Sequence, residues 1–202
     1  MNTHSSGYYS IDEEYTIIGM QAQEQGLTTV MEIEPEVYEN PYIYGSPLHL
    51  IRAMMNIYSN CIKYNKENGE IRTHVRLLHS DEKILTYQWT ISDTGIGISE
   101  DYLSRIFEPF TQEGTDVRSV YQGTSLEMSI AKALFEQMGG NLEVFSKLGE
   151  GSTFVITLPF ERAQELKTTV IEKTERESIQ DIKILLAEDN ELNQEVARIL
   201  LE

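Results

Sequence analysis

The sequence predicts a globular protein that combines α-helices with β-strands, of the α/β or α+β class, and three observations support this prediction. The chain has 202 residues, of which 40% are hydrophobic, enough for one domain with a core and a tail. Several stretches alternate apolar and polar residues, as strands with one buried face do. Other stretches repeat apolar residues at intervals of three and four, as amphipathic helices do.

Charge and cysteine content exclude several classes of function. With 16 basic and 33 acidic residues the formal net charge is −17, so nucleic acid is not expected as a partner because its phosphates would be repelled. The single cysteine, Cys61, cannot form an internal disulfide, and no Cys/His cluster has zinc spacing. No apolar run is long enough to cross a membrane, and residues 1–7 are unlike a secretory signal. We therefore expect a cytoplasmic chain without direct membrane contact, with any membrane tether of the full-length protein outside it.

The beginning of the chain predicts one helix and one strand. Ser10 and Glu13 form a capping-box pattern, apolar residues follow at helical spacing, and Gly26 closes the segment. A short alternating segment rich in β-branched residues comes next, until two prolines and a glycine break the pattern. The predicted elements are disordered residues 1–9, a helix over 11–25, a strand over 27–33 and a loop over 34–46.

A second helix is predicted from Ser46 and Pro47, an N-cap followed by proline in the first turn. Apolar residues spaced 3, 4, 3 and 4 predict a buried stripe made of Leu48, Ile51, Met55, Tyr58 and Ile62. Beside it, Asn56, Asn60 and Lys63 share a polar stripe. Because asparagine is a poor helix former, this stripe indicates amides and an ammonium directed at phosphates and a metal ion. A solvent-facing stripe is the alternative.

The middle of the chain predicts two strands, over 71–77 and 84–92, and the second leads into a short glycine-containing turn. Asp93 lies at the end of that strand, where a sheet presents side chains to ligands. Gly95 and Gly97 allow positive φ angles and a close approach to another group, such as a nucleotide. Taken alone, this pattern is explained equally well by an ordinary strand-to-helix turn.

The next part predicts a short helix from Ser99, then polar residues 111–123 without periodicity. A polar stretch of that length is typical of a functional lid rather than a simple connector. Another helix follows, with Leu126, Ile130, Leu134 and Met138 at helical spacing, and Gly139-Gly140 ends it. Residues 141–158 predict a hairpin that turns at 149–151, and Pro159 is expected to end the sheet.

The last residues predict a linker and the start of another domain. Residues 161–181 are rich in Glu, Lys, Thr and Gln, as linkers are. Residues 182–187 form an apolar strand pattern that ends in Glu188 and Asp189, and a helix pattern runs to residue 202. Because about twenty residues cannot bury a core, we interpret 182–202 as the first βα unit of a truncated domain.

Several motifs in a fixed order make residues 10–160 resemble the catalytic and ATP-binding domain of sensor histidine kinases. This domain belongs to the ATPase superfamily that also includes DNA gyrase and MutL. The motifs are an asparagine box (MNIYSNCIKY, 55–64), a first glycine box (DTGIG, 93–97), a phenylalanine box (RIFEPF, 105–110), a second glycine box (GTSLEMSI, 123–130) followed by Met138-Gly139-Gly140, and a last strand over 151–159. The resemblance implies an α+β, two-layer sandwich with a mixed β-sheet packed against helices, the Bergerat-type ATP-binding fold.

The resemblance also implies a site for ATP and Mg²⁺. Asp93 would accept a hydrogen bond from the adenine amino group, and Asn60 would hold Mg²⁺. Asn56, Lys63 and Tyr64 would contact the phosphates or order the site. Phe107 would anchor a lid over residues 111–125. The complete implied nucleotide-binding set is Asn56, Asn60, Lys63, Tyr64, Asp93, Gly95, Gly97, Phe107, Gly123, Thr124 and Leu126.

Asn56 stands where the water-hydrolysing members of the superfamily have a glutamate that activates water. An amide cannot act as that base, so the resemblance implies transfer of the γ-phosphoryl group to a histidine. None of the four histidines, His4, His49, His74 and His79, lies in the phosphoacceptor context of the family. No catalytic residue is therefore expected within this chain, and the dimerisation domain with the acceptor histidine is expected to precede it.

The second glycine box departs from the pattern of the family, because Ser125 and Glu127 replace two glycines. A carboxylate about 4 Å from a phosphate charge costs about 4 kcal/mol at an effective dielectric constant of about 20. Two hypotheses follow. In one, Glu127 turns to solvent or pairs with Arg118 and a kinase domain remains; in the other, the domain binds nucleotide poorly and serves as a pseudokinase or scaffold.

Residues 184–190 resemble the first strand of a response-regulator receiver domain. In a complete receiver, Glu188 and Asp189 would bind Mg²⁺. A receiver after a kinase domain implies a hybrid kinase in a two-component phosphorelay. The implied partners are ATP, the dimerisation and histidine phosphotransfer domain of the same protein, and a receiver domain.

Overall fold

The structure is a computed structural model that describes residues 11–40, 43–109 and 126–163, with side chains from residue 18 onward. These residues belong to the first of two compact units, Met1–Glu165. The helices are α1 (Ile11–Glu24), α2 (Pro35–Tyr38), α3 (Pro47–Lys63), α4 (Glu100–Leu103) and α5 (Glu127–Gln137). The strands are β1 (Thr28–Ile33), β2 (Ile43–Tyr44), β3 (Glu70–Ser80), β4 (Ile84–Asp93), β5 (Asn141–Lys147) and β6 (Gly151–Arg162). The predictions for residues 1–9, Ser10, the lid over 111–123 and the receiver-like unit lie outside the described residues, as does the linker predicted over 161–181 from residue 164 onward. The start of that linker was wrong, because residues 161 and 162 belong to β6.

The six strands form one mixed sheet in the order β1-β3-β4-β6-β2, and β5 also pairs with β6. β1 lies parallel to β3, whereas the other pairs are antiparallel. Alternate residues point to the same buried face in adjacent strands, as in the row that joins Thr73, Ile91 and Phe154. The helices α1, α3 and α5 contribute to the same core. The predicted α+β sandwich with a mixed sheet is confirmed.

The buried face of α3 differs from the predicted stripe. The buried residues are Leu50, Ala53, Met54, Ile57, Tyr58 and Cys61. Of the predicted set only Tyr58 is buried; Leu48 is 71% and Ile51 is 36% exposed, and Met55 and Ile62 are half-buried. The prediction was wrong because a second set of apolar residues, Leu50, Met54, Ile57 and Cys61, also repeats at intervals of three and four. That second set lies on the face that packs into the core.

The predicted loop over 34–46 contains two short elements. Pro35 occupies the first turn of α2, a position where its missing N–H costs nothing, and Val37 is buried. The strand β2 pairs with the end of β6, with Ile43 opposite Arg162. Both elements are shorter than one window of sequence periodicity, so the pattern could not reveal them.

Pro159 does not end the sheet, because β6 continues to Arg162. On one side, β4 pairs with β6 from Ser152 to Glu161, with Thr86 opposite Pro159. On the other side, β5 pairs with β6 no further than Thr157, and the pairing of β2 with β6 starts at Glu161. Pro159 thus falls in the gap between two partners, where a proline removes no hydrogen bond that the neighbouring strand needs.

Candidate functional site

The carboxylate of Asp93 lies at the end of β4 and is held by backbone amides. Its Oδ1 accepts hydrogen bonds from the N–H of Gly95 at 2.8 Å and from the N–H of Ser152 at 3.3 Å. Two such bonds hold the carboxylate in one orientation. The half-buried side chain is therefore a preorganised hydrogen-bond acceptor at the end of β4, a central strand of the sheet.

The thiol of Cys61 lies in the core beside Asp93. Burial is the main cause that raises its pKa well above the usual value, and the charge and hydrogen bond of Asp93 act in the same direction. Because the thiol stays protonated, it donates its hydrogen to the carboxylate. The acid is thus bonded to both its own loop and α3.

Gly95 and Gly97 let the turn after β4 pack against two neighbouring segments. A Cβ atom on Gly95 would lie 2.3 Å from the carbonyl oxygen of Tyr64, and one on Gly97 would lie 2.0 Å from that of Lys147. Gly97 also has a φ of +68°. The close approaches seen at both glycines are to the protein's own backbone. Their contact with a nucleotide stays a prediction.

The polar face of α3 carries two asparagine amides with unused hydrogen-bonding capacity. Asn60 donates from Nδ2 to the carbonyl oxygen of Asn56 at 3.0 Å, which leaves its Oδ1 without a hydrogen bond among the described residues. The buried Nδ2 of Asn56 has no acceptor in the described part of the chain. An unpaired buried donor costs about 1–3 kcal/mol, so it favours an acceptor from outside the fold.

The end of α3 supplies a cation and links to the Asp93 turn. The ammonium of Lys63 lies 4.9 Å from the centre of the Tyr64 ring. The carbonyl oxygen of Tyr64, the C-cap residue, accepts a hydrogen bond from the N–H of Ile96 at 3.0 Å. The structure thereby joins the two predicted halves of the site, the helix with the asparagines and the turn with the acid.

The structure describes some of the remaining predicted site residues, and the others lie outside the described ranges. Phe107 is half-buried, packs on the core, and has the ammonium of Lys132 at 5.5 Å from its ring centre. Leu126 is the half-buried N-cap of α5, and Glu127 is the first residue of that helix. The positions that lie outside the described residues are Gly123, Thr124, Ser125, Arg118, Glu188 and Asp189.

Two residues that hold the site together were missed by sequence analysis, Asn65 and Thr94. The hydroxyl of Thr94 donates to Oδ1 of Asn65 at 3.1 Å. An asparagine after the last turn of a helix is a common signal for a turn. Nothing in a single sequence pairs it with a threonine 29 positions later.

No group of three or more His, Cys, Asp and Glu side chains within the described ranges is placed to hold a metal ion. Two of the described histidines lie beside carboxylates: His74 is 3.3 Å from Glu34 and His79 is 3.0 Å from Asp81. The third, His49, is half-buried near the start of α3. Across the same ranges, no helix has the length and hydropathy that a membrane span requires.

The described residues form a mixed sheet covered by helices, with an acid at the end of β4 joined to the end of the helix that carries two amides. Residues 45–162 match the family model of histidine kinase-, DNA gyrase B- and HSP90-like ATPases, and the chain belongs to this family. The predicted membership is confirmed, and membership supports ATP as the nucleotide.

The relatives are sensor and hybrid histidine kinases. The chain is 33% identical over 192 residues to the sensor histidine kinase AruS of Pseudomonas aeruginosa, covering 95% of this chain and 18% of AruS. It is 36% identical over 168 residues to the autoinducer 2 sensor kinase/phosphatase LuxQ of Vibrio harveyi, covering 80% of this chain and 19% of LuxQ. It therefore spans about a fifth of the length of these relatives.

Solved structures of histidine kinases share the fold. The mycobacterial sensor histidine kinase MprB has a TM-score of 0.57 at 22% identity, over 76% of this chain and 95% of that one. Full-length ShkA in complex with AMPPNP has a TM-score of 0.60 at 23% identity, over 80% of this chain and 32% of that one. The fold of this chain is that of a histidine kinase catalytic domain.

Proposed function

We propose that this chain is the ATP-binding catalytic domain of a hybrid sensor histidine kinase. It presents the γ-phosphoryl group of ATP to a histidine on a dimerisation domain outside the chain. A receiver domain then takes the phosphoryl group from that histidine in a phosphorelay. The curated relatives support this role, since they are sensor and hybrid histidine kinases of which the chain matches one part.

The observation that carries the proposal is the pair of amides on α3. The buried Nδ2 of Asn56 lacks an acceptor among the described residues, and a phosphate oxygen would supply one. The bond from Asn60 Nδ2 to the Asn56 carbonyl leaves the amide oxygen of Asn60 without a hydrogen bond among the described residues, and Mg²⁺ prefers oxygen ligands. The residues present therefore fit a magnesium-bound triphosphate.

Each residue then has a defined task. Asp93 accepts the hydrogen bond of the adenine amino group, and Asn60 holds the metal ion. Lys63, at the end of α3, neutralises phosphate charge, and Asn56 donates to a phosphate oxygen. Bound Mg²⁺ would neutralise charge on the phosphates. Because Asn56 is an amide, no group at that position activates water, which keeps the phosphoryl group for the histidine.

The proposal is tested by titrating a fluorescent ATP analogue into the purified chain, with and without Mg²⁺. We expect saturable binding that Mg²⁺ strengthens, and no steady release of phosphate by the chain alone. Steady phosphate release would instead indicate a water-hydrolysing ATPase. Absence of binding by the parent chain, together with binding by Glu127→Gly, would indicate a pseudokinase or scaffold and overturn the kinase proposal.

Replacing Glu127 is expected to strengthen nucleotide binding. Glu127→Gln removes a half-exposed carboxylate from the first turn of α5, where the phosphates are predicted to lie. Solvent screening reduces the repulsion to a fraction of its value in a drier site, so we expect a gain of about three- to tenfold. The loss of a favourable charge at the helix N-terminus costs about 0.3–1 kcal/mol of stability.

The matched control for this substitution is Glu143→Gln, which removes an exposed carboxylate from β5. It lowers the net negative charge equally, so its effect on affinity measures the general electrostatic contribution. Equal gains from both variants would show that Glu127 has no specific effect on the phosphates.

A further inference from the structure

We propose that Asn65 and Thr94 form a positioning pair that sets the spacing between the metal-side helix α3 and the adenine-side turn. This inference rests on the proposed function, since it concerns how the two halves of the ATP site are held in register. Neither residue is proposed to touch the nucleotide; each acts through the residues next to it.

The amide of Asn65 uses its whole hydrogen-bonding capacity to connect three segments. Its Nδ2 donates to the carbonyl oxygens of Cys61 at 3.0 Å and Glu70 at 3.3 Å. Its Oδ1 accepts from the N–H of Lys66 and from the hydroxyl of Thr94, both at 3.1 Å. An amide has two donor hydrogens and one oxygen with two lone pairs, so this side chain is saturated and has one orientation.

Thr94 is the complementary half of the pair. Its hydroxyl donates to Asn65 and accepts from the N–H of Glu70 at 2.9 Å, while its own N–H donates to the Glu70 carbonyl oxygen at 3.1 Å. The residue lies between Asp93 and Gly95, so these bonds connect the adenine-side turn to Asn65 and to the start of β3. A hydroxyl that both donates and accepts cannot be replaced by a methyl group of the same shape.

Close packing leaves the pair no alternative arrangement. A Cβ atom on Gly69 would lie 2.2 Å from Oδ1 of Asn65 and 2.8 Å from Oγ1 of Thr94. The chain therefore passes directly against both side chains at the start of β3. The pair is a dense polar junction rather than a solvated surface contact.

The junction lies between the residues that recognise the two ends of the nucleotide. Asn60 and Lys63 precede Asn65 in the last two turns of α3, and Asp93 immediately precedes Thr94. A ligand that touches only the adenine side does not depend on the spacing of the two halves. A ligand that spans adenine and metal does, because misplacement by a fraction of an ångström lengthens its hydrogen bonds.

The test compares three probes by calorimetry on the full chain: adenosine, ADP without Mg²⁺ and ADP with Mg²⁺. The variants are Thr94→Val, which keeps the shape but removes the hydroxyl, Thr94→Ser, which keeps the hydroxyl, and Asn65→Ala. Asn40→Ala is the matched control, since Asn40 also donates to the carbonyl oxygen four residues earlier, at 2.9 Å, and accepts from Arg162. Melting temperatures show that each variant is folded.

We expect Thr94→Val and Asn65→Ala to weaken ADP binding in the presence of Mg²⁺ by about five- to twentyfold, the loss of roughly one or two hydrogen bonds. Adenosine affinity should stay within about twofold of the parent value, and Thr94→Ser and Asn40→Ala should match the parent with every probe. An equal loss for all three probes, or no loss, would overturn the inference while leaving the proposed function intact. Absence of ADP binding by the parent chain would overturn the proposed function and this inference with it.

Discussion

Asp93→Asn is expected to weaken ATP binding by at least about tenfold, and up to about 150-fold, while the domain stays folded. A hydrogen bond to a charged group contributes about 1.5–3 kcal/mol, and about 1.4 kcal/mol corresponds to a factor of ten. The amide keeps one oxygen for the N–H groups of Gly95 and Ser152, which hold Oδ1 in the parent protein. Its NH₂ group would then face the adenine amino group, so a donor would meet a donor.

Two measurements test whether the loss of affinity comes from the contact between residue 93 and the adenine amino group. The first compares the affinity for ATP with the affinity for the triphosphate of unsubstituted purine riboside, which lacks the amino group. Parent protein should prefer ATP, and the variant should lose that preference. The second is Asp101→Asn, which neutralises an exposed carboxylate on α4 and should leave affinity unchanged. Unaltered base preference in Asp93→Asn would contradict the assigned role.

Gly97→Ala is expected to lower the free energy of unfolding by about 2–5 kcal/mol, through a forced clash added to a left-handed backbone. The new Cβ would lie 2.0 Å from the carbonyl oxygen of Lys147 and 3.1 Å from the Cα of Leu148, and backbone atoms cannot move aside by a rotamer change. Because domains have only about 5–15 kcal/mol of stability, this single methyl group removes a large share of it.

The matched control is Gly26→Ala, since Gly26 has a φ of +71° against +68° for Gly97, but a Cβ there would meet nothing within 4 Å. It measures the loss in the free energy of unfolding that comes from a left-handed backbone alone, about 1–2 kcal/mol. Urea unfolding of both variants measures the difference, which is the contribution of close packing between the turn and the β5–β6 hairpin. Equal costs for the two substitutions would show that the hairpin readily moves away.

Much of the fold followed from the sequence because strands with one buried face leave a strong signal. Tyr87, Trp89 and Ile91 alternate with polar residues, and all three are buried in β4. The position of Asp93 at the end of that strand followed directly. The ordered motifs then located the polar face of α3, whose asparagines the structure joins to the Asp93 turn through Tyr64 and Ile96.

Other features depend on tertiary structure and leave no local pattern. The core face of α3 could not be chosen from its sequence, because two sets of apolar residues repeat at helical spacing and the spacing does not show which set packs into the core. Pro159 is acceptable only because β5 and β2 leave a gap beside it. The Asn65–Thr94 pair is formed across 29 positions, a distance that no periodicity spans.

The buried thiol of Cys61 can serve as a natural probe of local unfolding in this protein. It is the single cysteine in the chain and is 1% exposed, on a helix that carries the site and beside the acid of the turn. A thiol reagent can reach it only when the core around α3 opens, and only the thiolate then reacts. The rate of labelling therefore measures how often the region around this helix opens, without any introduced probe. A ligand that bridges α3 and the turn would lower that rate.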